Sequence, residues 1–187
     1  GWQPLRRLLL ARRSQSLISG YGVARLDNVV LEDGIGGHTV LEHVLLTPGG
    51  LLVLLPRHCD GALFGGDKIE SWTQMVGSKS FHFHNPLHQL EELLASLRYQ
   101  LPGIPVEGRV LFSGNCRFPK GRPGHLLLIE EMSGQEGRVD QAVVPVLEQA
   151  WQSLQRLPRA EAPATSMDNS ISKPRLWSAL LLAALGT

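Results

Sequence analysis

Residues 39–58 read TVLEHVLLTPGGLLVLLPRH. Two strand-length segments, 39–47 and 50–58, lie on either side of Pro48 and Gly49. Proline supplies a fixed φ and glycine accepts a positive one, the chemistry of a tight turn. So short a connection predicts antiparallel neighbours, because parallel strands need a crossover of a dozen or more residues. The run Leu51 to Leu55 is apolar without interruption, as a strand buried on both faces requires. This strand is therefore expected at the centre of a sheet.

Working outward, YGVARLDNVVL at 21–31 is rich in β-branched residues and is closed by the loose turn EDGIGG, so it reads as a third strand of a meander. Residues 1–19 mix Leu with Arg, carry few breakers and read as a helix. Beyond the central pair, a Gly-rich stretch, DGALFGGDKIESW, and a polar connection lead to Asn85 and Pro86. Asparagine caps free N–H groups, and proline suits the first helical position, where its missing N–H is not needed. Leu87, Leu90, Leu94, Leu97 and Leu101 follow at alternating spacings of three and four, one apolar stripe, until Pro102 and Gly103 end the helix. Val106–Phe112 and His125–Ile129 read as strands joined by the basic loop SGNCRFPKGRPG. Val143, Leu147, Ala150, Leu154 and Leu157 mark a last helix with Pro145 near its start.

The expected order is helix, three strands, helix, two strands, helix: an α/β fold with a mixed sheet and flanking helices. One domain is expected over residues 1–157, with its core at 21–132. Residues 158–175, PRAEAPATSMDNSISKPR, lack periodicity and read as a linker. The apolar segment LWSALLLAALGT at 176–187 is shorter than the roughly 20 residues a bilayer span requires. It fits the beginning of a truncated membrane segment or a helix docked on the domain.

Eighteen Lys and Arg stand against 17 Asp and Glu, a formal net charge of +1. No global positive field exists to capture nucleic acid, so any such contact must be local. Arg6, Arg7, Arg12 and Arg13 bunch near the start, where a solvated face is the simplest reading. Two cysteines, Cys59 and Cys116, exclude a disulfide framework and a four-cysteine zinc site. They fit a reduced, cytoplasmic setting, with membrane anchoring through the terminal segment as the alternative. The chain starts with Gly1 and not Met, so nothing about a leader or anchor follows from its first residues.

From about Tyr21 to Met132 the chain resembles the nuclease-related domain (NERD) family, which is related to restriction-type nucleases. The family's second strand ends in an Asp-His pair before a Pro-Gly turn and resembles LEHVLLTPGG, with Glu42 and His43 at the pair. Its third strand runs into Glu-x-Lys and a glycine loop, and resembles GLLVLLPRHCDGALFG. Trp72, then Asn85, Pro86, Leu87 and Gln89 against Asn-Pro-Leu-x-Gln, and RVLFSG follow in order. The resemblance implies a restriction-endonuclease-like fold and metal-dependent phosphodiester hydrolysis.

In such sites a divalent metal activates water and neutralises charge on the phosphate. Mg²⁺ prefers oxygen ligands, which the family's Asp and Glu supply while its Lys orients the nucleophile or stabilises charge. Here the Asp position holds Glu42, still a carboxylate, and a remnant metal ligand and a salt-bridged strand residue both fit it. At Glu-x-Lys the chain reads Leu55-Pro56-Arg57. Leucine cannot coordinate Mg²⁺, and arginine does not serve as a base. The Gly-Glu pair of the family's first helix has no counterpart either. The expectation is a catalytically impaired domain with Glu42, Arg57 and Gln89 at remnant catalytic positions.

Arg57, Arg117, Lys120 and Arg122 are the candidate contacts to DNA or RNA, and a protein partner is the other reading. No cofactor is expected, unless an active nuclease has rebuilt a Mg²⁺ site from Glu42, Asp60, Asp67 or Glu70 with Arg57; a membrane-associated scaffold is a third possibility. His82, His84 and His88 form His-x-His-x3-His, a pattern that can recruit zinc but is not diagnostic in its spacing. DGALFGGDK lacks the Gly-Lys-Ser/Thr ending of a phosphate-binding loop, and a turn explains it.

Overall fold

The computed structural model describes residues 3–133 and 142–161. Helix α1 (Gln3–Gly20) leads into β1 (Ala24–Glu32), β2 (His38–Thr47) and β3 (Gly50–His58). These form the expected meander: β1 and β2 are antiparallel, as are β2 and β3, with Thr47 opposite Gly50 across the Pro-Gly turn. Strands β4 (Gly61–Phe64), β5 (Ser71–Val76) and β6 (Lys79–His84) follow, then α2 (Pro86–Gln100). The chain continues through β7 (Val106–Ser113), the short β8 (Cys116–Arg117), β9 (Leu126–Leu128), a 3-10 turn (Ile129–Met132) and α3 (Pro145–Gln155).

The first sheet has the order β1-β2-β3-β7-β9, with β7 parallel to both β3 and β9. It is a mixed sheet with β3 at its centre, and Leu51 to Leu55 are all buried. Leu51, Val53 and Leu55 pack on the face shared with α2 and α3, while Leu52 and Leu54 join Ile18 of α1 and Met132 on the other. The period-2 alternation of a strand thus serves two cores at once. The α2 stripe is buried as expected at Leu87, Leu90, Leu94 and Leu97, and Leu93 joins it. On α3, Leu147, Ala150 and Leu154 are buried together with Trp151. This α/β architecture is that of a restriction-endonuclease-like fold.

The structure departs from the sequence reading between β3 and α2. Residues 61–84, read as a glycine-rich stretch and polar connection, form three strands of a second sheet ordered β6-β5-β4-β8. The basic loop read between two strands supplies the fourth, β8. The strands are short and few of their side chains are fully buried, so the apolar alternation that marks a half-buried strand is weak. Trp72 and Leu63 anchor this sheet in the core: Leu63 is 1% exposed, and Trp72 is fully buried, stacks on Phe112 at 6.4 Å and meets Phe83 edge-on at 6.2 Å.

The domain also reaches past residue 157. The Val30 N–H donates to the Pro158 carbonyl and the Ala160 N–H to the Asn28 carbonyl, so this segment lies along the outer edge of β1. Residues 162–187, with the apolar segment and most of the expected linker, lie outside the described residues. Among the described residues no helix is long and apolar enough to cross a membrane.

Candidate functional site

Arg57 continues the stripe Leu51, Val53, Leu55 on the α2 face of β3, at the strand end where the apolar core stops. Glu42 sits on the neighbouring β2, one step beyond the paired residues His43 and Leu54. Gln89 stands on the first turn of α2, whose start is fixed by Asn85 and Pro86. Three elements therefore deliver the three candidate positions to one place. Glu42 Oε1 lies 3.9 Å from Arg57 Nη1, and Arg57 Nη2 donates to Gln89 Oε1. Arg57 Nη1 also donates to the Pro56 carbonyl at 2.6 Å. The guanidinium is thus engaged by carboxylate, amide and backbone together.

Leu55, at the position where the resemblance places a metal-binding carboxylate, is 1% exposed and belongs to the larger apolar cluster. Beside Arg57 opens a cleft of about 310 Å³ that Glu70, His84, His88, Gln89 and Glu92 also line. Its formal charges are one arginine against two glutamates, which does not favour an anion when the histidines are neutral.

The wall of the cleft is held by Asn85, only 1% exposed. Its Oδ1 accepts from the Leu87 N–H at 2.9 Å, the expected helix cap. Its Nδ2 does more than the sequence pattern foretold. It donates to the carbonyls of Gly66, Asp67 and Ile69 at 3.1, 3.2 and 2.8 Å, tying the β4–β5 connection to the start of α2. The cap is also a clamp between the second sheet and the helix.

The other cations do not join this cleft. Arg117 on β8, Lys120 and Arg122 are exposed and outside its lining, and Arg122 pairs with Glu131 at 2.5 Å. The three histidines are separated as well: His84 and His88 line the cleft, while His82 faces Thr73 Oγ1 at 3.1 Å. Among the described residues, no group of three or more His, Cys, Asp and Glu side chains is placed to hold a metal ion. Of the acids weighed for a rebuilt site, Glu70 reaches the cleft, whereas Asp60 belongs to another cluster.

Two polar clusters were not foreseen. On the α1 side of the meander, Asp27 accepts from Arg25 at 2.7 Å and lies 2.8 Å from His43 Nδ1, and Arg25 reaches back to Ser19 of α1. Burial pushes the Asp27 carboxyl upward, but the hydrogen bonds and charges of His43 and Arg25 outweigh it and hold the group below its ordinary value. Adjacent residues of one strand point to opposite faces, so Glu42 and His43 serve different clusters. At the same end of β3, directly after Arg57, His58 lies 3.2 Å from Asp60 Oδ2 and 3.3 Å from Ser113 Oγ. The Asn115 N–H donates to Asp60 at 3.0 Å, keeping that carboxyl low. No sequence spacing announces this cluster, because strand pairing between β3 and β7 brings its members together.

A carboxylate and a cation, Glu42 and Arg57, thus meet at the sheet end of this α/β fold. The model of the nuclease-related domain matches residues 7–113, and the chain belongs to the nuclease-related domain (NERD) family. An uncharacterized protein of Bacillus anthracis is 27% identical over 101 residues, 52% of this chain. The chain spans about half of that relative, 48% of its length. No solved structure matches the chain.

Proposed function

We propose that this domain does not cleave nucleic acid and acts as a binding module built on a nuclease fold. What carries the reading is Leu55. A Mg²⁺ site in a nuclease needs oxygen ligands converging on the ion at about 2.0–2.1 Å. The side chain at this position is hydrocarbon and is sealed in the core. Glu42, the one carboxylate left, lies beside the Arg57 guanidinium, whose charge opposes a cation there. The donor set does not fit Mg²⁺.

Nucleic-acid contact falls to exposed cations outside the cleft, Arg117, Lys120 and Arg122, with Arg57 held inside. Such a patch binds phosphates through counterion release, so affinity is modest and falls with salt.

The test is a cleavage assay on DNA and RNA with Mg²⁺ or Mn²⁺, run on the unaltered protein, Glu42→Ala, and Leu55→Glu with Arg57→Lys. No cleavage by the unaltered protein is expected. Robust metal-dependent cleavage that Glu42→Ala abolishes overturns the reading. Activity gained only in the double variant supports it directly; because Leu55→Glu puts a carboxylate into the core, its folding is checked by thermal melting. Binding is measured by titrating labelled single- and double-stranded oligonucleotides at several salt concentrations. Affinity that ignores salt, or that survives loss of all three exposed cations, defeats the phosphate contact.

A further inference from the structure

The only two cysteines of the chain, 59 and 116, meet at the junction between the two sheets. Strands β3 and β7 pair in parallel with His58 opposite Ser113, and β4 and β8 pair in parallel with Gly61 opposite Cys116. The offset is the same on both sides of the junction, so the two chains cross from the first sheet to the second as one continuous pair. Both are bent there: Gly61 has φ 94° and Gly114 has φ 97°, left-handed values that favour glycine. A β-carbon on Gly114 would lie 2.3 Å from the Cys59 carbonyl oxygen, so the close approach also needs glycine. The bend brings Cys116 Sγ to 3.1 Å from the Cys59 carbonyl, within side-chain reach of the Cys59 thiol, whose own Sγ lies 3.7 Å from the Asp60 carbonyl. Cys59 is buried and Cys116 half-buried, so Cys116 is the one of the two that a small reagent meets first.

We propose that Cys59 and Cys116 form a reversible disulfide that locks the junction between the two sheets when the protein meets a small-molecule disulfide oxidant. The accessible Cys116 thiolate attacks one sulfur of the oxidant, forming a mixed disulfide and releasing one thiol. Cys59 then attacks Cys116 Sγ, loses its proton to solvent and displaces the second thiol. Two protein thiols are oxidised and one small disulfide is reduced to two thiols. The link closes the loop between residues 59 and 116, which restricts the unfolded chain far more than the folded one. It also fixes the end of β3 just past Arg57 and ties it to β8, which carries Arg117.

The same geometry sets the speed. The hydrogen bond with the Cys59 thiol, followed by burial, pushes the Cys116 thiol well above its ordinary value. Thiolate is the attacking species, so the reaction is slow at neutral pH and accelerates as pH rises.

The experiment is incubation of the full chain with glutathione disulfide at pH 7.5 and pH 9, followed by acid quench, intact mass measurement and thermal melting. A mass loss of about 2 Da from paired oxidation is expected, reached at least several-fold faster at the higher pH, with a raised Tm that a reducing agent reverses. Cys116→Ser, at the half-exposed position, is expected to fold and to show no Tm gain with oxidant. The buried Cys59→Ser serves only to show whether Cys116 then keeps a stable glutathione adduct. Mixed-disulfide adducts that persist on the unaltered protein, two thiols that stay free at pH 9, or a link that leaves Tm unchanged or lowered would each overturn the proposal.

Discussion

The five-stranded sheet and the four-stranded sheet share a continuous pair of strands, yet they are held in place by different means. In the first, burial is distributed: each of Leu51 to Leu55 is nearly inaccessible, and two separate apolar clusters press on opposite faces. In the second, most side chains of β6 and β8 are exposed. Its position rests on Trp72, on the Asn85 clamp and on the strand pair that crosses between the sheets. A distributed core tolerates the loss of any one contact better than a sheet with few anchors. The candidate site lies between the two regimes, with Glu42, Leu55 and Arg57 on the first sheet, and Glu70 and His84 at the strand ends of the second.

The sharpest way to break this comparison is Trp72→Ala. The side chain is fully buried among aromatic rings and its Nε1 donates to the Gly66 carbonyl at 3.1 Å. Its loss is expected to destabilise by about 3–5 kcal/mol, and amide exchange should open first in β4–β6. Chemical denaturation gives the magnitude. Uniform loss of protection across both sheets would mean that the second sheet has no separate anchor.

Leu97→Ala tests the distributed side. The residue is 0% exposed in the α2 stripe, and roughly 2–5 kcal/mol is expected. Unchanged denaturant midpoints would remove α2 from the core.

Asn85 separates cap from clamp. Asn85→Ala removes both the acceptor to Leu87 and the donors to the β4–β5 carbonyls. The cap alone is worth about 0.5–2 kcal/mol, and the lost bonds to the part-buried β4–β5 carbonyls add about 0.5–1.5 kcal/mol. Asn85→Ser keeps a neutral capping oxygen and loses the clamp, so it should fall between Ala and the unaltered protein in denaturant melts. Equal stability of the Ser variant and the unaltered protein would show that the clamp contributes nothing.

The smallest effect belongs to Asp27. Its carboxyl is held below its ordinary value of 3.8, so its contribution is present above that pH and is lost as pH falls through the depressed folded value. The side chain is 43% exposed, and solvent screening limits the pair to about 0–1 kcal/mol. Asp27→Asn should therefore shift the melt slightly at neutral pH, with the difference shrinking below pH 3.8. A difference that persists or grows in acid contradicts the assignment.

Much of this molecule is legible from residue order because it depends on local chemistry. The Pro-Gly turn sets the β2–β3 hairpin, the unbroken Leu51–Leu55 run sets the central strand, and Asn85-Pro86 with the leucine stripe sets α2. The meeting of Glu42, Arg57 and Gln89 follows from those same elements, to which each of the three is tied, and the fold brings them together. Tertiary structure alone decided the rest. Strands β4, β5, β6 and β8 carry too little apolar alternation to declare themselves, and they exist because pairing satisfies their backbone groups and Trp72 docks in the core. The pairing of Glu42 with Arg57 and of His43 with Asp27, the Asn85 clamp and the meeting of Cys59 with Cys116 all join residues distant in the chain. Contacts of that kind depend on strand register and on bends at particular glycines, and no local pattern of residue types encodes them.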